Sequence, residues 1–108
     1  MTIPSIDPSE LRQRLDRGDA LRLVDVRELP EWEICRLPGA ELKPMSEILS
    51  WQDELADEER EVVIYCHHGV RSLRVCGYLL SMGRRRLVNL RGGIEAWRRT
   101  VDPSMPGY

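Results

Sequence analysis

The sequence has few of the residues that cross-link or metallate small domains. Its 108 residues include three cysteines (Cys35, Cys66 and Cys76), an odd number without a Cys-x-x-Cys pair. This pattern argues against a disulfide framework and against a zinc ribbon. The two histidines, His67 and His68, are adjacent and cannot alone supply the three or four ligands of a metal site. Unpaired cysteines are typical of the reducing cytoplasm, so we expect a cytoplasmic protein without a metal or other cofactor.

A long apolar run and an excess of basic charge are also missing. Residues 1–11 contain neither the basic start nor the apolar core of a signal peptide. The longest apolar run, around residues 62–65, is far too short to cross a membrane. The net charge is −2, whereas nucleic-acid-binding domains are usually strongly basic. We therefore expect neither a membrane nor a nucleic acid as a partner.

The first helix has clear sequence signals at both ends. Asp7 is a good N-cap, Pro8 suits the first helical position, and Glu10 lies three residues after the cap. These residues predict a capping box. Gly18 is placed to end the helix.

Strand-like and helix-like segments alternate along the rest of the chain. The predicted strands are residues 21–26, 62–65 and 87–90, with a short extended piece near Leu42. The predicted helical segments are residues 46–55, a helix from Ser72 to Gly83, and residues 94–99. This alternation predicts one α/β domain over residues 1–108, with parallel strands and helices on both faces of the sheet. Ligands of such sheets bind at the carboxyl ends of the strands, where Cys66 is expected to lie.

The segment from Cys66 to Ser72 combines a strand end, a short loop with Gly69 and a helix N-terminus. Backbone N–H groups of a tight turn and the positive end of a helix both favour a thiolate over a thiol. Gly69 lets the backbone curl, and Arg71 adds a permanent positive charge. We therefore predict that Cys66 is a nucleophile.

The other cysteines and the histidines carry weaker signals. Cys76 lies on the apolar face of the predicted helix, which favours core packing. Cys35 is predicted to be a partly buried thiol without a role. Adjacent side chains in a tight loop are expected to point apart, so we predict that His67 and His68 flank the pocket mouth and share no metal ion.

Three stretches of the chain resemble the single-domain rhodaneses, in the order found in that family. They are residues 23–28 followed by 31–33 and 37–40, the Cys-x-x-Gly-x-Arg loop from Cys66 to Arg71, and residues 90–97. The resemblance implies a five-stranded parallel sheet flanked by helices. It also implies a sulfurtransferase that carries sulfur as a persulfide on Cys66. In this interpretation His67, His68, Gly69 and Val70 form the substrate-binding loop, and Arg71 faces an anionic substrate.

Two further features concern the substrates and partners. Members of the family often have Gly-His where this chain has Cys35-Arg36, which affects the rim of the pocket. The ending, residues 101–108, is similar to the tail of rhodanese domains fused to enzymes that activate ubiquitin-like carrier proteins. The resemblance implies thiosulfate or a persulfide as the donor, with a small sulfur-carrier protein or a cysteine desulfurase as a partner.

Two alternatives stay open at this point. Phosphatases and arsenate reductases of the same superfamily also use a loop cysteine and an arginine, but with Cys-x5-Arg spacing. Cys66 and Arg71 have Cys-x4-Arg spacing, which favours sulfur because a tetrahedral phosphate needs a wider ring of N–H donors. The second alternative is a binding module without catalytic activity, although non-catalytic members of the family usually lack the loop cysteine.

Overall fold

A computed structural model, which describes residues 2–108, contains one five-stranded parallel sheet. The strands are β1 (Ser5–Ile6), β2 (Leu21–Asp25), β3 (Glu41–Leu42), β4 (Glu61–Tyr65) and β5 (Leu87–Leu90). Their order across the sheet is β1-β5-β4-β2-β3, so β4 is central. The parallel α/β architecture that the alternating segments predict is therefore confirmed.

The described residues form five α-helices, of which four connect successive strands and the fifth follows β5. They are α1 (Pro8–Asp16), α2 (Leu29–Ile34), α3 (Ile48–Trp51), α4 (Val70–Ser81) and α5 (Gly93–Thr100). Two short 3-10 helices, Met45–Glu47 and Gln52–Leu55, flank α3. Across the described residues, no helix is both long enough and apolar enough to cross a membrane.

The central strand β4 is buried on both faces, which explains its continuous apolar sequence. Val62 and Ile64 belong to a core cluster with Val75, Cys76 and Leu79 of α4. On the opposite face, Val63 and Tyr65 belong to a second cluster, whose members from α1 and α5 are Leu11, Ile94 and Trp97. Helices thus cover both faces, and Cys66 follows β4 at the carboxyl edge of the sheet.

The predicted start of α1, with Asp7 as N-cap and Pro8 as the first helical residue, is confirmed, but the predicted capping box does not form. Asp7 occupies the N-cap position of α1, but its side chain makes no capping hydrogen bond and accepts one from Arg91 instead. The predicted start of α4 is wrong, because this helix begins at Val70 with Gly69 as its N-cap, two residues earlier than predicted. Ser72 therefore lies in the first turn of α4, where its buried side chain has another role.

Candidate active site

The Cys66 sulfur lies in a ring of hydrogen-bond donors formed by its own loop. The backbone N–H of Gly69 lies 3.1 Å from Sγ, and the backbone N–H of Ser72 lies 3.4 Å from it. Gly69 has a φ of 98°, a conformation that favours glycine, and this turns its N–H toward the sulfur. Cys66 is only 1% exposed, so little water competes with these donors. The predicted position of Cys66, at a strand end and a helix start, is confirmed.

Ser72 contributes a side chain to the sulfur site rather than a helix cap. Its hydroxyl lies 3.4 Å from Sγ of Cys66 and donates to Oδ1 of Asn89. Asn89, in β5, donates in turn to the carbonyl of Gly69 at 3.4 Å. Both side chains are buried. A buried polar residue in the otherwise apolar strand Leu87–Leu90 was a sequence signal of this role.

The start of α5 holds the backbone of the Cys66 loop in place. The N–H of Ile94 donates to the carbonyl of Cys66 at 2.9 Å, and the N–H of Glu95 donates to that of His67 at 3.0 Å. This approach requires Gly93, which has a φ of 63° and whose Cβ, if present, would lie 2.4 Å from the His67 carbonyl oxygen. Gly93, the first residue of α5, therefore serves the shape of the cysteine loop.

Arg71 is held by a carboxylate from α2. Its Nη1 and Nη2 donate to the two oxygens of Glu31 at 2.7 and 2.8 Å. The hydrogen bonds from Arg71 lower the pKa of Glu31 from 4.5 to about 2, so Glu31 is ionised at neutral pH. The hydrogen bonds to Glu31 in turn raise the pKa of Arg71. The sequence reasoning missed Glu31, which lies 40 residues from Arg71.

The side chain of Tyr108 lies over this pair and over the loop. Its hydroxyl donates to Glu31 at 2.7 Å and accepts from Nη1 of Arg27 at 2.8 Å. Partial burial is the main cause that raises the pKa of Tyr108 to about 12, so the hydroxyl keeps its proton. Its ring stacks on His67, with centroids 4.0 Å apart and planes 12° apart. The tail of the chain is therefore part of the site.

A buried ion pair between Arg27 and Asp25 holds Tyr108 and α2 in place. Arg27 and Asp25 are fully buried, and Nη2 of Arg27 lies 2.7 Å from Oδ2 of Asp25. Nη2 also donates to the carbonyl of Cys35 at 2.6 Å. The guanidinium therefore ties the end of β2 to α2 and to Tyr108.

The two histidines differ from the prediction in their orientation. Their ring centroids lie 4.0 Å apart at an angle of 37°, so the side chains do not point apart. His67 is partly buried and His68 is exposed. Within residues 2–108 there is no group of three or more His, Cys, Asp or Glu side chains placed to hold a metal ion.

His67 offers a titration that tests the stacked arrangement. Burial, followed by the charge of His68, lowers the pKa of His67 below its usual 6.5. We expect the NMR titration midpoint of the His67 ring to lie below 6.5 and to return toward that value in Tyr108→Ala. Below pH 6.5 the unfolded chain binds more protons at this position than the folded one, so the His67 contribution makes the fold less stable on acidification.

A distant tyrosine provides the control for this titration. Tyr78→Ala removes an exposed side chain whose hydroxyl donates a hydrogen bond to Gln52 and whose ring does not stack on His67. The Tyr78 variant should leave the His67 midpoint unchanged. A midpoint that does not move in Tyr108→Ala would contradict the stacking.

The three cysteines are free thiols with different surroundings. Cys76, on the inner face of α4, is fully buried in the core, as predicted, and burial raises its pKa to about 12. Its thiol is therefore unreactive at neutral pH. Cys35 is partly buried, as predicted, and its Sγ lies 3.9 Å from Nη1 of Arg27.

Comparison with known proteins identifies the family. The family described as Rhodanese-like domain matches residues 7–100. The chain belongs to the rhodanese-like domain family. A crystal structure of a rhodanese-like domain protein from Staphylococcus aureus superposes on this domain with a TM-score of 0.81 at 34% identity. The match covers 88% of this chain and 91% of the staphylococcal chain.

Two curated relatives carry names that describe an activity. A protein named sulfurtransferase from Allochromatium vinosum is 41% identical, and the match covers 90% of both chains. A protein named probable adenylyltransferase/sulfurtransferase MoeZ, from Mycobacterium tuberculosis, is 40% identical over 96% of this chain. This chain spans only 27% of the length of that longer protein. These relatives support sulfurtransferase activity in general for this domain and leave the sulfur donor open.

Proposed function

We propose that this rhodanese-like domain is a sulfurtransferase that carries sulfane sulfur as a persulfide on Cys66. The observation that carries the proposal is the pair of backbone N–H donors, from Gly69 and Ser72, that converge on Sγ of Cys66. Such donors stabilise a negative charge on sulfur in both the thiolate and the persulfide. The backbone that presents them is fixed by α5, so the donors are in place before a substrate arrives.

The first step loads sulfur onto Cys66. The thiolate attacks the outer sulfur of thiosulfate, a new S–S bond forms, and the bond to the central sulfur breaks. The bonding electrons leave with sulfite, so the products are the Cys66 persulfide anion and sulfite. With an organic persulfide, the leaving group is the organic thiolate. In this proposal, the substrate-binding loop consists of His67, His68, Gly69 and Val70, and Arg71 donates hydrogen bonds to the incoming donor.

The second step passes the sulfur to a thiophilic acceptor, which attacks the outer sulfur and releases the Cys66 thiolate. Cyanide can serve as the acceptor in vitro, giving thiocyanate. In the cell we propose a protein thiol or a small sulfur-carrier protein as the acceptor. A cysteine desulfurase that carries a persulfide is the proposed protein partner for loading. The free thiols of this domain suit a cytoplasmic setting.

A phosphatase or arsenate reductase is the alternative within the superfamily. Cys66 and Arg71 are separated by four residues, and the first turn of α4 follows the loop without an extra residue. The Gly69 and Ser72 donors converge on the Cys66 sulfur, and in this proposal the short loop has room for one added sulfur atom beside it. We therefore favour sulfur over phosphate as the group that is transferred.

Intact-mass measurement tests the proposal. The purified protein is incubated with thiosulfate or, separately, with the methanethiosulfonate anion, and we expect a gain of one sulfur atom that cyanide removes. Cys66→Ser should gain no sulfur, whereas Cys35→Ser, which replaces a thiol outside the loop, should gain it like the wild type. A gain retained by Cys66→Ser would refute the assignment of Cys66. If neither donor loads the wild type, the phosphatase and the binding-module hypotheses take precedence.

A further inference from the structure

The arginine of the loop already has a counter-ion of its own. Glu31 accepts two hydrogen bonds from Arg71, one on each oxygen, in the bidentate geometry that is strongest for this pair. Two of the five guanidinium N–H groups are used in this way. Arg71 can therefore still donate to a substrate, but it does not offer an uncompensated positive charge.

Two further contacts keep Glu31 in this position. Its Oε1 accepts from the backbone N–H of Glu28 at 3.1 Å, as part of the capping box of α2. Its Oε2 accepts from the hydroxyl of Tyr108 at 2.7 Å. The carboxylate is thus fixed by a helix start on one side and by the tail on the other. It is not a mobile surface group that an incoming anion simply displaces.

The other charges of the site are also compensated. The positive charge of Arg27 is matched by Asp25, to which it is bonded in the buried pair. The Arg27–Asp25 and Arg71–Glu31 pairs each sum to zero, so the Cys66 thiolate leaves this part of the site with one net negative charge. Because Cys66 is buried, that charge is poorly screened by water.

We infer that Glu31 is a specificity-determining residue that selects against doubly charged sulfur donors. This inference rests on the proposed sulfurtransferase function. A thiosulfate dianion meets both the thiolate and the Glu31 carboxylate, whereas an organic persulfide or thiosulfonate carries at most one negative charge at the reacting end. The preferred donor class is therefore an organic persulfide. The same repulsion disfavours dianionic phosphate esters and arsenate.

Two donors with the same reacting sulfur and different charge isolate this effect. Thiosulfate carries an oxyanion where methanethiosulfonate carries a methyl group. Thiosulfate and the Cys66 thiolate give the persulfide anion and sulfite. Methanethiosulfonate and the thiolate give the same persulfide anion and methanesulfinate. In both reactions one S–S bond forms, one breaks, and no external oxidant or reductant is needed.

The experiment measures kcat/KM for both donors with cyanide as the acceptor. In Glu31→Gln the ratio of kcat/KM for thiosulfate to that for methanethiosulfonate should rise about tenfold, because one nearby negative charge is removed. Glutamine keeps an oxygen that can accept from the Glu28 N–H, so α2 retains its cap. An unchanged ratio would overturn the inference while leaving sulfur transfer itself intact. Absence of transfer from both donors in the wild type would instead refute the proposed function.

Two matched variants separate charge from structure. Glu33→Gln removes one charge from an exposed position of the same helix and should leave the ratio unchanged. Glu31→Asp keeps the negative charge but shortens the side chain, so its ratio should stay within about threefold of the wild type. If Glu31→Asp raised the ratio as much as Glu31→Gln, Glu31 would act through geometry alone and the inference would be wrong.

Discussion

Replacing Asp25 with asparagine should lower the free energy of unfolding by about 3–5 kcal/mol, the usual cost of leaving a buried charge without its partner. Asp25 is fully buried and accepts hydrogen bonds from the backbone N–H, Nε and Nη2 of Arg27. In the variant, the amide NH₂ faces guanidinium donors, and the Arg27 charge stays buried without compensation. Urea denaturation, followed by circular dichroism, measures the change as a lower midpoint at an unchanged slope.

The same substitution at an exposed pair provides the control. Asp16 pairs with Arg12 across one turn of α1, and their side chains are 65% and 51% exposed. Asp16→Asn should leave the midpoint essentially unchanged, since exposed pairs contribute little. Equal effects of Asp25→Asn and Asp16→Asn would show that the buried pair does not hold the end of β2 to α2 and Tyr108.

Gly93→Ala should have the second large effect, because it both destabilises the fold and displaces the backbone of the Cys66 loop. A Cβ at Gly93 would lie 2.4 Å from the His67 carbonyl oxygen and 2.6 Å from that of Cys66. These are backbone atoms and cannot rotate away. The start of α5 must move, which lengthens the hydrogen bonds from Ile94 and Glu95 to the loop. We expect a loss of at least about 3 kcal/mol from the strained φ and the two weakened bonds.

Gly83→Ala separates the backbone strain from the steric clash. Gly83 has a φ of 87°, but no atom lies within 4 Å of a Cβ placed there. This variant should lose only about 1 kcal/mol, the cost of an alanine in the left-handed region. Intact-mass measurement after incubation with a donor adds a second readout. Gly83→Ala should load sulfur normally, whereas a Gly93→Ala protein that loaded sulfur at the wild-type rate would contradict the role given to the α5 start.

The central strand and the loop that follows it could be predicted from the sequence alone. Residues 62–65 are apolar and mostly β-branched because β4 is buried on both faces, and this is a local signal. Gly69 and Arg71 mark the turn after β4 in the same way, although the start of α4 was placed two residues too late. By contrast, β1 was missed, since Ser5–Ile6 is too short to show a period of two.

Helix α2 was missed for a different physical reason. None of its residues, Leu29–Ile34, is buried, so it has no apolar stripe that a periodicity search detects. Its capping box is built on Glu28 rather than on serine, threonine, aspartate or asparagine. Because α2 was missed, its residue Glu31, which binds Arg71, was missed as well. Glu31 lies 40 residues before Arg71 and 77 before Tyr108, and such contacts follow from the packing of the whole fold.

The position of Tyr108 has a practical consequence for anyone who attaches a reporter or a purification tag. A peptide fused after Tyr108 begins beside His67, in the loop that carries the reacting thiol. Such a peptide would obstruct access to the site. The residues before the first strand offer the better attachment point. Ser5 pairs with Asn89 in β5, and because the strands are parallel, the chain before Ser5 runs toward the amino edge of the sheet, away from Cys66. An amino-terminal fusion should therefore leave sulfur loading undisturbed, whereas a carboxyl-terminal one would confound every kinetic comparison between donors.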